Sequence, residues 1–138
     1  MSVSRDGTTV GGVIAGSSGL DFVLSDTRGA FSTTFGQGAG SPYVVVAVGR
    51  SPSGLAEDRP ILLVGNQAKG PISFGSGAPL GTAPFVALFD GAGSFCTARS
   101  VDVSSIQAVV EPSSFVLAGA TQAGAAIIKR LTFADLTN

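Results

Sequence analysis

The sequence predicts an all-β protein built from repeats of one small antiparallel sheet. Three observations carry that expectation. Short apolar runs rich in Val, Ile, Phe and Thr, residues that suit a pleated surface, are punctuated by 20 glycines and seven prolines. No stretch of about eleven residues holds the i, i+3, i+4, i+7 spacing of an amphipathic helix. And phrases recur: "FVLSDTRGAF" at 22–31 returns 63 residues later as "FVALFDGAGSF" at 85–95. Recurrence on this scale is the mark of a repeat architecture.

The elements follow in order. An apolar strand closed by glycine occurs three times, as "GVIAG" (12–16), "ILLVG" (61–65) and "FVLAG" (115–119). Before the second and third copies stands another strand, "YVVVAV" (43–48) and "IQAVVEP" (106–112). After the first two comes the FVxL strand and a D-x-x-G-x-F element, Asp26–Gly29–Phe31 and Asp90–Gly93–Phe95. That spacing predicts a hairpin: aspartate bonds the backbone of a tight turn, glycine takes positive φ, and an aromatic opens the return strand. The third copy runs into "AAIIKRL" instead, with no Asp or Gly for the next turn. The return strands "AFSTTFG" and "SFCTARSV" are more polar and alternate, which predicts edge strands. Two stretches, "GLAEDRP" and "KRLTFADLTN", are short helical candidates that do not change the class.

The strand phrases "ILLVG" and "FVALF" are apolar at successive positions, so both of their faces need cover. Four antiparallel strands, polar at the outer edge and apolar on both faces within, describe a propeller blade. A β-sandwich, the alternative, would expose one face of most strands. The chain is then a single domain, 1–138, with approximate blades 1–42, 43–105 and 106–138. Its 138 residues over three passes give 46 per pass, close to the roughly 40–45 of a four-stranded blade. A closed ring takes about four to eight blades, so about three four-stranded blades leave the monomer unclosed. Its end faces then call for cover by self-association or by another protein.

The phrase "ILLVGNQAKGPISFGSGAPLGTAPFVALFDGAGSF" also resembles the SBBP-type β-propeller repeats of bacterial secreted and surface proteins. Gly65, the loop at Phe74-Gly75, the strand from Phe85 to Asp90 and the turn at Gly93 follow that pattern. Gly16, Phe22, Asp26 and Gly29 follow it more loosely, and the third copy departs from it after Lys129. The resemblance implies a scaffold of extracellular or cell-surface location, and it supplies no catalytic residues.

Composition narrows function mainly by exclusion. Charged residues make up 12%, about half the usual ~25%, and mean hydropathy is +0.45. So few charges suit a chain that hides much of its surface. Net charge is −1 with scattered Lys and Arg, which excludes a nucleic-acid footprint. The longest apolar runs fall well short of the ~18 residues of a membrane span. The start, "MSVSRDGTTVGGVIAG", lacks the basic and long apolar regions of a signal peptide.

With no histidine, Ser-His-Asp and Cys-His nucleophiles and common zinc sites are ruled out. The lone Cys96 is expected to be a buried thiol. Most aspartates stand at turns, and neither Gly-rich loop has the context of a phosphate loop. No cofactor or metal is expected. A lectin is disfavoured, since the chain has no Trp and one Tyr, Tyr43.

The expectation is a non-enzymatic structural or protein-interaction scaffold. The alternative is a small accessory subunit of a larger assembly such as a surface filament or coat. One candidate contact loop stands out. Gly65 and Phe85 are twenty residues apart, where the corresponding gaps are six and eight. This insertion carries Ile72, Phe74, Leu80 and Pro84 as partner-contact candidates, against the plainer expectation that it lengthens a hairpin and packs its own Phe.

Overall fold

The computed structural model describes residues 2–3, 9–16, 19–26, 32–38, 44–49, 59–66, 71–74, 80–111 and 113–137. The chain is all-β. It begins with β1 (Ser2–Val3), β2 (Thr9–Gly16), β3 (Gly19–Asp26) and β4 (Ser32–Gly38), which pair in that order. Next come β5 (Val44–Val48), β6 (Ile61–Gly65), the short β7 (Ile72–Ser73), β8 (Phe85–Phe89) and β9 (Phe95–Ser100). The last group is β10 (Val103–Val110), β11 (Ser114–Thr121) and β12 (Ala126–Thr132), followed by one helical turn, α1 (Ala134–Thr137).

All pairings are antiparallel, and they make three sheets: β1-β2-β3-β4-β7, β5-β6-β8-β9 and β10-β11-β12. The sheets have five, four and three strands rather than four each. The first gains β7, and the third has no strand beyond β12 among the described residues. The third sheet also begins at Val103, inside the stretch expected to close the second repeat. Of the two helical candidates, Lys129–Thr132 is strand and only the final turn is helical; "GLAEDRP" lies largely outside the described residues.

Continuous apolar runs become the centre of the molecule. Every residue of β6 is buried, as are Phe85, Val86, Ala87 and Phe89 of β8. Successive side chains point to opposite faces of a strand, so the middle sheet carries a core on each side. On one face Val46, Ile61, Leu63, Phe85, Ala87 and Phe89 pack with Ile72 and Phe74. On the other, Ala47, Leu62, Val64 and Val86 pack with Val103, Phe115, Leu117 and Leu136. Each fully buried side chain of this size contributes roughly 1.5–3 kcal/mol from apolar burial. The strands that lead into the sheets also lie together: β5 runs beside β1 and β2, and β10 runs beside β5 and β6.

The predicted Asp-led turn is present at residues 90–94. Asp90 Oδ1 accepts the N–H groups of Ala92 (3.0 Å) and Ser94 (2.8 Å), and Gly93 takes φ +87°. Its earlier counterpart after Asp26 lies outside the described residues. Between β11 and β12 a threonine version does the same work. Gly124 takes φ +83°, and Thr121 Oγ1 accepts the Ala125 N–H at 3.3 Å.

Cys96 corrects an expectation, because its thiol is exposed rather than buried. The register explains it: Phe89 faces Phe95 and Leu88 faces Thr97, so Cys96 is the extra residue of a β-bulge. A bulge breaks strict alternation. The thiol pKa is raised, chiefly by partial desolvation and then by the Asp90 carboxylate.

Candidate functional site

The insertion residues singled out from the sequence go to different places. Ile72 is fully buried, Phe74 nearly so, and Leu80 is half-buried against the same cluster. Backbone bonds join Ile72 and Leu80 in both directions, Ile72 N–H to Leu80 O at 2.9 Å and Leu80 N–H to Ile72 O at 2.7 Å. The Phe74 ring stacks on Phe95 at 5.5 Å and meets Phe85 and Phe89 edge-on at 5.5 and 6.4 Å. Pro84 is buried apart from them, its carbonyl accepting the Val101 N–H at 2.7 Å. Because β7 pairs with β4, Gln37 opposite Ser73 and Gly38 opposite Ile72, the segment ties the first sheet to the middle one. Residues 67–70 and 75–79 of the insertion lie outside the described residues, as does Tyr43.

The exposed surface of interest is instead the outward face of the third sheet. In β12 residues alternate, with Ala126, Ile128, Arg130 and Thr132 outward and Ile127, Lys129 and Leu131 toward the core. Register places Gln107, Ala118 and Ile128 in one row and Val109, Val116 and Arg130 in the next. Ile128 is 78% exposed and Val109 42%, the two large apolar side chains that stand out in this way among the described residues.

The similar phrases "ILLVG" (61–65) and "FVLAG" (115–119) give those rows a counterpart. Aligning Gly65 with Gly119 aligns the row Val45, Val64 and Val86 with Gln107, Ala118 and Ile128. It likewise aligns Ala47, Leu62 and Leu88 with Val109, Val116 and Arg130. In the middle sheet Leu62, Val64 and Val86 have no exposed surface, because the third sheet covers them. At the aligned positions of the third sheet Ile128 and Val109 are exposed, while Val116 and Ala118 are half-buried. The sequence repeats hinted at this correspondence, but only the register assigns it residue by residue.

A second feature is a cleft of about 400 Å³ where β9 meets β12 and α1, lined by Arg99, Asp102, Lys129, Leu131, Asp135 and Leu136. Its charges are engaged with one another. Lys129 Nζ donates to Asp102 Oδ1 at 2.7 Å, Arg99 donates to the Asp135 carbonyl, and Thr97 Oγ1 donates to the Leu136 carbonyl at 3.4 Å. The Lys129 bond holds the Asp102 carboxyl below its ordinary pKa. These contacts fasten the third sheet and α1 to the middle sheet.

No group of three or more Cys, Asp and Glu residues placed to hold a metal ion occurs among the described residues. No helix among them is long and apolar enough to cross a membrane. No family model, curated protein or solved structure matches the chain.

Proposed function

We propose that the chain is a non-enzymatic protein-interaction scaffold, an unfinished β-propeller completed by another polypeptide. The observation that carries this reading is the contrast between Val86, fully buried, and its register equivalent Ile128, 78% exposed. Val109, Val116, Ala118 and Ile128 adjoin by register on this side, and larger apolar patches on a protein surface mark interaction sites. The neighbouring placement of β1 and β2, β5 and β10 supports a blade arrangement, with the leading strand of each sheet innermost. Three sheets are fewer than the roughly four to eight of a closed propeller. The resemblance to SBBP-type repeats belongs to the same reading and gives it a bacterial, secreted or surface setting. Absence of histidine from the sequence weighs against nucleophilic or zinc catalysis.

A second reading, a small subunit of a larger filament or coat, is favoured by the outer edge of β12, beyond which no strand lies among the described residues. An experimental structure of the chain tests the scaffold reading. Sheets radiating from an axis lined by β1 and β2, β5 and β10 are the expected result. A two-layer sandwich with the Ile128 side covered by the chain itself would overturn it.

A further inference from the structure

We infer that the outward face of the third sheet, made by Val109, Val116, Ala118 and Ile128, is a seam that docks a second copy of this chain. The inference rests on the scaffold reading above and specifies its partner. Between the middle and third sheets, one repeat offers Leu62, Val64 and Val86, and the next offers Phe115, Leu117 and Val103 in return. On the other side of the middle sheet, Ile61 and Leu63 pack with Ile72 of β7, the strand that joins the first sheet. By the Gly65–Gly119 alignment, Ile61 and Leu63 are the equivalents of Phe115 and Leu117. Each seam therefore uses the same side of the following repeat. The third sheet shows the other side of that junction, and within this chain such a side is covered by the next stretch of the same chain, Phe115 and Leu117 against Leu62, Val64 and Val86.

The match is chemical as well as positional. Ala118 and Ile128 replace Val64 and Val86, and Val109 and Val116 replace Ala47 and Leu62, so these four positions stay apolar, while Gln107 stands at the end of its row where the middle sheet has Val45. Arg130 stands where the middle sheet has Leu88, and its guanidinium is held to Glu111 at 3.1 Å, at the border of the patch. A charged rim around an apolar centre is the usual anatomy of an interface. In the second copy, the sheet with no repeat of this chain in front of it is the first. Docking third sheet on first sheet, twice, closes a six-sheet ring with two-fold symmetry.

Sedimentation and native mass measurement of the purified 138-residue chain test this. The expected species is a dimer of twice the 13.6 kDa monomer mass. Ile128→Glu should weaken it about a hundredfold, the effect of forcing an unpaired charge into a buried contact. Thr82→Glu, at an exposed bend, should leave it intact. A circular dichroism melt of Ile128→Glu confirms folding, since Ile128 is exposed in the single chain. Open-ended polymers that Ile128→Glu dissolves would still support the seam. A wild-type monomer at high concentration, or a dimer indifferent to Ile128→Glu, overturns it. A monomer with radiating sheets would leave the scaffold reading standing with a different partner, whereas a sandwich fold would remove both.

Discussion

At Gly65 an aromatic ring occupies the space of a side chain. A Cβ built there would come within 2.1 Å of Cε1 and Cζ of Phe85, its cross-strand partner. Phe85 is fully buried and touches Phe74, so the ring has nowhere to retreat. Gly65→Ala should destabilise the fold by about 1–3 kcal/mol through overpacking, read as a lower midpoint in urea. Phe74→Ala, which removes the insertion's ring from three neighbours, should cost about 3–5 kcal/mol in the same assay. If Phe74 served a partner alone, the isolated chain would not notice its loss. At this scale the sequence was informative where chemistry is local. Asp90 and Gly93 announce their turn because aspartate and glycine act within four residues. Cys96 was not legible, because a bulge depends on the register of a neighbouring strand.

Among the elements, α1 shows how four residues hold a helical conformation. Thr132 and Asp135 form a reciprocal cap. Asp135 Oδ2 accepts the Thr132 N–H at 2.7 Å and the Thr132 hydroxyl at 2.9 Å, while Thr132 Oγ1 accepts the Asp135 N–H at 3.3 Å. This is the capping-box pattern with aspartate in the glutamate position. It aims Leu136 into the seam between the middle and third sheets, where that side chain is buried. The Thr132 backbone bond, and then its hydroxyl, hold the Asp135 carboxyl below its ordinary pKa. A depressed folded pKa means the contribution is complete above the unfolded value, ~3.9, and is lost as pH falls through the folded value. Acidification should therefore lower the protection factor of the Thr132 amide, its exchange rate taken relative to the intrinsic rate at each pH. Asp135→Ala should show the low protection already at neutral pH; protection equal to wild type there would refute the cap. The cap was available to sequence reading as T-x-x-D in "TFAD", and Thr121 with Gly124 as T-x-x-G. Neither spacing is distinctive in sequence, because Thr, Asp and Gly also recur in ordinary turns. Strands β1 and β7 were invisible for another reason: two residues carry no periodicity.

For the molecule as a whole, the recurring phrases mapped onto the sheets because each phrase is one strand and consecutive strands pair. "ILLVG" and "FVALF" foretold a sheet buried on both faces, since neither strand has a polar side to turn to water. Sheet size was less legible. The insertion leaves the middle sheet and adds β7 to the first, a long-range pairing decided by where Phe74 finds its aromatic neighbours. The candidate surface was not legible in place, because naming Ile128 required the alignment of Gly65 with Gly119 in register.

The rim of β12 has its own consequence. A bare strand margin invites indiscriminate strand addition by other molecules, the route toward cross-β fibres. Here Asp135 occupies the Thr132 N–H, and the edge strand itself carries Arg130, an exposed charge whose guanidinium reaches across β11 to Glu111. These residues act as gatekeepers, discouraging growth along the margin while leaving the flat apolar side free for an ordered contact. Arg130→Val combined with Asp135→Ala should hasten thioflavin-positive fibre growth, and an unchanged lag time would show that the margin needs no guard. The seam inferred above would then owe its selectivity as much to what β12 refuses as to what the broad side accepts.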